Sequence, residues 1–206
     1  MLIPGAVTVG LAGLQFGLSL IIAIGAQNTY VIRQGIARAH VPTVVVICAV
    51  SDVILIAAGV AGLGAVVGHQ HGLLLTVRLL GAAFLLGYAA LAARRALRPP
   101  GPGLAGGAAA TSAWPAVVAT CLAFTWLNPA VYLDTVVLLG SVAATGPDPW
   151  WFGGGAAVAS IAWFAGLGFG ARLLAPVFGR PRAWRALDVF VAVVMTVTAA
   201  RVLAGA

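Results

Sequence analysis

The sequence predicts an all-α integral membrane protein: a bundle of six transmembrane helices, arranged as a 3+3 inverted repeat with interrupted first and fourth spans. Three observations predict it. Of 206 residues, 62% are hydrophobic and only 7% charged, with a mean hydropathy of +1.10, outside the range of soluble domains. Apolar runs of about 20 residues or more, the length that crosses a bilayer, recur along the chain, and the arginines fall mainly in the short gaps between them. In a soluble chain the formal charge of +7 would suggest nucleic acid or an acidic partner. Here the basic residues read as topology signals, and no nucleic-acid partner is expected.

The first span is placed at 5–27. No basic residue precedes Arg33, so the charged region of a secretory signal is missing and this run reads as a retained helix. Near its end stands "IGAQNTYVIRQG", in which Gly25, Gln27 and Asn28 interrupt the helical pattern. The second span, 41–67, contains Cys48 and Asp52, and the third covers 73–93. Between 94 and 114 lies "RRALRPPGPGLAGGAAATSAW", rich in Pro, Gly and small residues as a linker is. It divides one transmembrane domain, 1–206, into halves at 1–93 and 115–206. The fourth span, 115–142, carries Asn128-Pro129 and Asp134; the fifth runs 150–176, and the sixth, 186–204, has Asp188 in its first turn.

Arginine counting orients the bundle. The gaps after spans one, three and five hold Arg33 and Arg38, then Arg94, Arg95 and Arg98, then Arg180, Arg182 and Arg185. The other side has only Asp148, with Arg78 inside span three and Arg201 near the end of span six. The arginine-rich gaps are therefore expected in the cytoplasm and both termini outside. A re-entrant 115–145 would move the Arg180 cluster outside, so the fourth run is read as a true crossing. Three spans per half force the halves into opposite orientations, as in many secondary transporters.

The two interruptions point to a site. Pro129 has no amide hydrogen and disfavours helix at the residue before it, so carbonyls near residue 125 lose their partners. Within a bilayer these need neighbouring helices, side chains such as Asn128, or cavity water. A helix restarting after Asn128 presents amide hydrogens and a partial positive charge, which suits a carboxylate. A packed proline kink is the plainer explanation; a matched break in the first span is what favours a binding site. Among the acids, Asp148 is in a loop and Asp188 near a helix start. Asp52 and Asp134 lie in strongly apolar surroundings, where an ionised Asp costs roughly 2.5–3.5 kcal/mol. They are expected either to pair with Arg33 or Arg78, or to bind a cation and carry a proton.

Other residues carry weaker signals. Tyr30, Trp126, Tyr132 and Trp163 could stack on a cation, although membrane aromatics are more often anchors, as expected for Trp150 and Trp151. His69 and His71 read as solvated loop residues, and no metal or other cofactor is expected. The Gly13/Gly17, Gly64/Gly68 and Gly166/Gly170 pairs permit close helix contact, first within the fold and secondarily in a homodimer. Cys48 and Cys121 have no disulfide framework or metal-ligand spacing. Phosphate-loop, Ser-His-Asp and HExxH patterns are absent, which argues against an enzyme.

"GAQNTYVIRQGI" at 25–36, "CAVSDVILI" at 48–56 and "TWLNPAVYLDTVVLLGSVA" at 125–143 resemble motifs of the lysine exporter (LysE) family, in its lysine/arginine branch. The likeness extends over essentially the whole chain, through "WWF" and "GARLLAPVFGRPRAWRALD". It implies export of basic L-amino acids across the bacterial inner membrane, driven by the proton motive force without ATP. Carried over by position, the motif residues are Gln27, Asn28, Asp52, Asn128, Pro129 and Asp134. Where the family often has His after Asn-Pro this chain has Ala130, so any proton-relay role of that His lapses here.

The resulting expectation is an antiporter whose partners are a basic amino acid, protons and the lipid bilayer. Gln27, Asn28, Asp52, Asn128, Pro129, Tyr132 and Asp134 form its substrate site, and Asp52 and Asp134 couple protons. The alternatives are an exporter of neutral amino acids, a gated channel, and a thiol oxidoreductase, which would require Cys48 and Cys121 to meet.

Overall fold

The computed structural model describes residues 4–22, 25–63, 71–97, 113–176, 178 and 181–204. They form helices α1 (Pro4–Ile21), α2 (Ala26–Ala37), α3 (Val41–Ala58, continued by a π turn Gly59–Leu63) and α4 (His71–Leu97) in the first half. The second half has α5 (Trp114–Trp126), α6 (Pro129–Thr145), α7 (Pro149–Gly170, continued by a 3-10 turn Ala171–Leu174) and α8 (Pro181–Ala204). No strand occurs among the described residues. The expected His69, Gly64 and Gly68, Arg98, Arg180 and most of the linker lie outside these residues, as does the side chain of His71.

Proline marks most of these starts. It is the first residue of α1, α6, α7 and α8 and the second of α3 and α5, where its missing amide hydrogen costs nothing and its fixed φ suits a helix. Between α2 and α3 the chain turns through two left-handed residues, Arg38 (φ 53°) and His40 (φ 52°). The Arg38 amide bonds back to the Gly35 carbonyl and closes the helix end.

Four helical segments, Val41–Leu63, Arg78–Leu97, Pro149–Leu174 and Arg182–Ala204, are each long and apolar enough to cross a bilayer. Counting each of two bent pairs as one span brings the number to six: α1 with α2, turned by 84°, and α5 with α6, turned by 55°. The first and fourth spans are thus the broken ones, as expected, but their details differ. The first break falls between Ile21 and Ala26, so Gln27 and Asn28 occupy the opening turn of a new helix. Arg33 belongs to that helix and is buried at 5% exposure, so it is no loop residue. The last helix starts at Pro181, which puts Asp188 two turns inside it.

Packing pairs the elements in a regular way. α3 lies against α7, and α4 against α8. α1 packs on α7 as α5 packs on α3; α2 touches α8 as the start of α6 touches α4; and α2 meets 171–174 as α6 meets 59–63. Each contact recurs with the halves exchanged. Glycines let these backbones approach: a Cβ on Gly13 would overlap the Phe152 carbonyl, and one on Gly17 would press on Ala156, as the spacing predicted. Gly166 and Gly170 do not behave so, since a Cβ on either meets nothing within 4 Å; Gly168, facing Val45, takes that role.

α3 shows how helical period sorts the environment. Val46, Val50 and Ile54, one turn apart, are at least half exposed, the stripe that meets lipid. Cys48, Ser51, Asp52 and Leu55 are buried on the opposite side.

Candidate functional site

The two breaks are satisfied in different ways. At the second, Asn128 has an extended backbone and its side-chain oxygen accepts the Ala130 amide at 3.2 Å, an N-cap. The Val131 amide bonds the Asn128 carbonyl, while Tyr132 donates its hydroxyl to the Trp126 carbonyl at 2.8 Å. Proline, cap and phenol thus close this break within the protein, and the amide end near Asn128 is already occupied.

The first break is more open. Asn28 donates Nδ2 to the Ile21 carbonyl at 2.8 Å, stitching the end of α1 to α2. Its Oδ1 accepts the indole N–H of Trp163 from α7 at 3.3 Å. The first turn of α2 starts at Gly25, which offers no capping side chain and has nothing within 4 Å of where a Cβ would stand. Gln27 beside it is half-buried, and its Nε2 is buried without a hydrogen-bond partner. An uncapped helix start with an unspent amide donor is suited to an anionic group.

Asp52 lies on α3 at 4% exposure. Ser160 of α7, fully buried, donates its hydroxyl to Asp52 Oδ2 at 2.9 Å. Oδ1 has no hydrogen bond and Asp52 no arginine partner among the described residues. Its neighbour Ser51 accepts the Trp126 indole N–H at 3.3 Å, which sets Asp52 level with the break of the fourth span. Cys48, one turn back on α3, has Cys121 of α5 and Gln27 of α2 beside it.

Asp134 is placed differently. It is exposed, next to Leu133 (40% exposed) and one turn from Leu138 (44%), in a π-helical stretch Tyr132–Leu139. It makes no hydrogen bond or ion pair among the described residues. The adjoining Thr135 and Val136 face Gly59, two turns along α3 from Asp52, so the two acids differ in depth by about 10 Å. Gln27 borders α3 at Cys48 and the break of the fourth span borders it through the Trp126–Ser51 bond, with Pro129 packing on Gly81 of α4 and Asn28 bonded to Trp163 of α7, whereas Asp134 lies about two turns further along.

Among the described residues neither acid pairs with Arg33 or Arg78, the first of the two alternatives the sequence left open. Arg33 instead bonds Asp188 of α8, and Arg95 of α4 reaches the same Oδ1 at 3.2 Å. The Arg95 guanidinium also lies 5.6 Å from the centre of the Tyr88 ring. An acid taken as a routine helix-start residue is thus the hub of a buried cluster joining three spans. Sequence reasoning missed Asp188, Ser160 and the capping role of Tyr132; only an inward helical face could have flagged the first two. Tyr30, expected as a cavity aromatic, is buried at 5% among Phe84, Tyr88 and Phe124 and accepts Gln34 Nε2 at 2.9 Å. Trp150 and Trp151 are exposed, as anchors are.

The thiols of Cys48 and Cys121 do come together, both 1% exposed and free. Such burial keeps thiols inert, so they serve packing. No group of three or more metal-ligating side chains is found among the described residues.

Comparison with known proteins matches residues 18–205 to the family described as LysE type translocator. The chain is 50% identical over 189 residues to a candidate amino-acid transporter of Mycobacterium tuberculosis, covering 90% of this chain and 92% of the relative. It is 40% identical over 187 residues to the arginine exporter protein ArgO of Pectobacterium atrosepticum (90% and 91%). To the lysine exporter LysE of Corynebacterium diphtheriae it is 36% identical over 225 residues (95% and 99%). No solved structure matches.

Proposed function

The chain belongs to the LysE type translocator family, and from that membership we propose that it exports basic L-amino acids, lysine or arginine, from the cytoplasm in exchange for protons. It is a multi-pass protein of the bacterial inner membrane, and its relatives are named as transporters and exporters rather than enzymes. The observation that carries the finer reading is Asp52: a buried carboxylate without a cationic partner among the described residues, held by one hydroxyl between the two central helices.

An ionised Asp at that depth costs roughly 2.5–3.5 kcal/mol on insertion scales, which a bound cation or proton offsets. The side-chain cation of lysine or arginine meets Asp52, and its α-carboxylate meets the open start of α2 beside Gln27 and Asn28. The capped end at Asn128 and Pro129, with Tyr132, shapes the opposite wall. This refines the sequence expectation, in which either amide end could take the carboxylate. Asp134, exposed and about two helical turns away, forms the outer acidic station, exchanging protons and released substrate.

Coupling is needed because an inside-negative membrane draws a monocation inward by about 2.3 kcal/mol per 100 mV. Protons entering from outside neutralise Asp52, release the cation and reset the carrier. The recurrence of each helix contact with the halves exchanged supports two inverted three-span halves that rock about Asp52. On this topology the arginine-rich end faces the cytoplasm and both termini lie outside. The test is counterflow of labelled lysine in proteoliposomes. Asp52→Asn is expected to abolish it while the purified protein melts normally; full counterflow by that variant would refute the assignment.

A further inference from the structure

Hydroxyls on the described helices mostly donate into their own helix, three residues back at Ser19, Ser141 and Thr145, and Ser160 departs from that habit. Thr29, Thr76, Thr120, Thr125, Thr135, Thr196 and Thr198 each donate to the carbonyl four residues back in their own helix. That is the default for a hydroxyl with no water at hand. Ser160 instead reaches across to α3 and spends its hydrogen on Asp52 Oδ2. Both residues lie eleven positions into their helices, from Val41 and from Pro149. They are thus corresponding positions of the second span of each half, touching where the halves meet.

We propose that Ser160 is a positioning residue of the transport site, its hydroxyl keeping Asp52 held through both the cation-bound and the proton-bound stages. This rests on the reading that Asp52 carries both. With Asp52 ionised, the serine O–H donates to Oδ2 and leaves Oδ1 for the substrate cation. When a proton from the outer water bonds to Oδ2, that new O–H donates to the serine oxygen. The serine hydrogen turns to the Ala156 carbonyl, the acceptor its neighbours' geometry makes ordinary. On release to the cytoplasmic water the proton leaves and the first arrangement returns. A methyl group in place of the hydroxyl can do neither. The other titratable groups on the surrounding elements are Cys48 on α3 itself, Tyr30 and Arg33 of α2, Cys121 of α5, Tyr132 and Asp134 of α6, and Arg172 at the end of α7; among the described residues Arg33 is bonded to Asp188 and no arginine is bonded to Asp52.

The experiment compares two modes of transport in proteoliposomes. Lysine–lysine counterflow at equal pH needs no change in the protonation of Asp52, whereas net efflux driven by outside acid does. Ser160→Ala is expected to slow net efflux at least tenfold and counterflow less than threefold, with Ser160→Thr restoring net efflux. Equal loss in both modes, or none in either, overturns the proposal. Should Ser160→Ala not fold, the exchanged pair Asp52→Ser/Ser160→Asp decides: it returns the carboxylate to the same point and should keep counterflow, and its loss in a folded protein overturns the proposal. Asp52→Asn measured alongside separates the premise. If it transports normally, Asp52 is not the site at all; if it is inactive while Ser160→Ala matches the parent, only the role of Ser160 fails.

Discussion

Replacing Asp188 by Asn should destabilise this protein more than other single surface-distant changes, and the size of the effect follows from its surroundings. The substitution removes the carboxylate that Arg33 and Arg95 share, with side chains 6% and 28% exposed respectively. Arg33 is almost wholly buried, so its guanidinium would lose its counter-charge with little water to replace it. Losing one partner of a buried pair costs about 3–5 kcal/mol, whereas the partly solvated Arg95 contact adds no more than about 1 kcal/mol. For a chain of this size each kcal/mol shifts the melting temperature by about 2–4 °C, giving a drop of roughly 6–24 °C. The assay is thermal unfolding of purified protein in mild detergent, followed by loss of the monodisperse chromatographic peak. Arg95→Ala should lower the midpoint by a few degrees only. Arg33→Met combined with Asp188→Leu should recover much of the loss, because an apolar pair of similar volume replaces the charges. A midpoint for Asp188→Asn within 2 °C of the parent would show that the cluster contributes no net stability and that its burial has been misjudged.

Gly81→Ala should lower stability and expression, since a Cβ there would run into the Leu127 carbonyl at the break; Gly87→Ala, with nothing within 4 Å, should be neutral or slightly stabilising in the same melting assay. Asn128→Ala removes the cap of α6 and should cost about 1 kcal/mol, seen as a small fall in midpoint. Trp163→Phe deletes the indole donor to Asn28 and should raise the half-saturating lysine concentration in counterflow severalfold with little change in melting; an unchanged value would detach Trp163 from the site.

The bundle, its two broken spans and Asp52 were legible in the sequence because each rests on local chemistry. Apolar length marks a span, a proline after Asn128 breaks a helix wherever it falls, and a carboxylate such as Asp52 stands out in an apolar run. The Arg33–Asp188–Arg95 cluster was not legible. Arg33 follows an apolar run and counts as a topology signal, and nothing in the residues around it says that α2 turns by 84° and carries it into the protein. Asp188 looked like a helix-start acid because proline at 181, not the first apolar residue, opens α8. Ser160 resembles every other membrane hydroxyl until α3 is laid beside it. Glycine spacing marked Gly13 and Gly17 as a close-contact face, without naming α7 as its partner, but not Gly59 or Gly140, which have no glycine four residues away.

Gly59 and Gly140 bring the end of α3 and α6 together main chain to main chain: a Cβ on Gly140 would run into the Gly59 peptide group, and one on Gly59 into the carbonyls of Thr135 and Val136. Where interlocked side chains meet, one helix can shift against another only by jumps between rotamer-locked registers. Bare peptide surfaces have no such teeth, so the α6 limb of the fourth span and the end of α3 meet without side-chain registers to hold them, and a single methyl group at either position would add one.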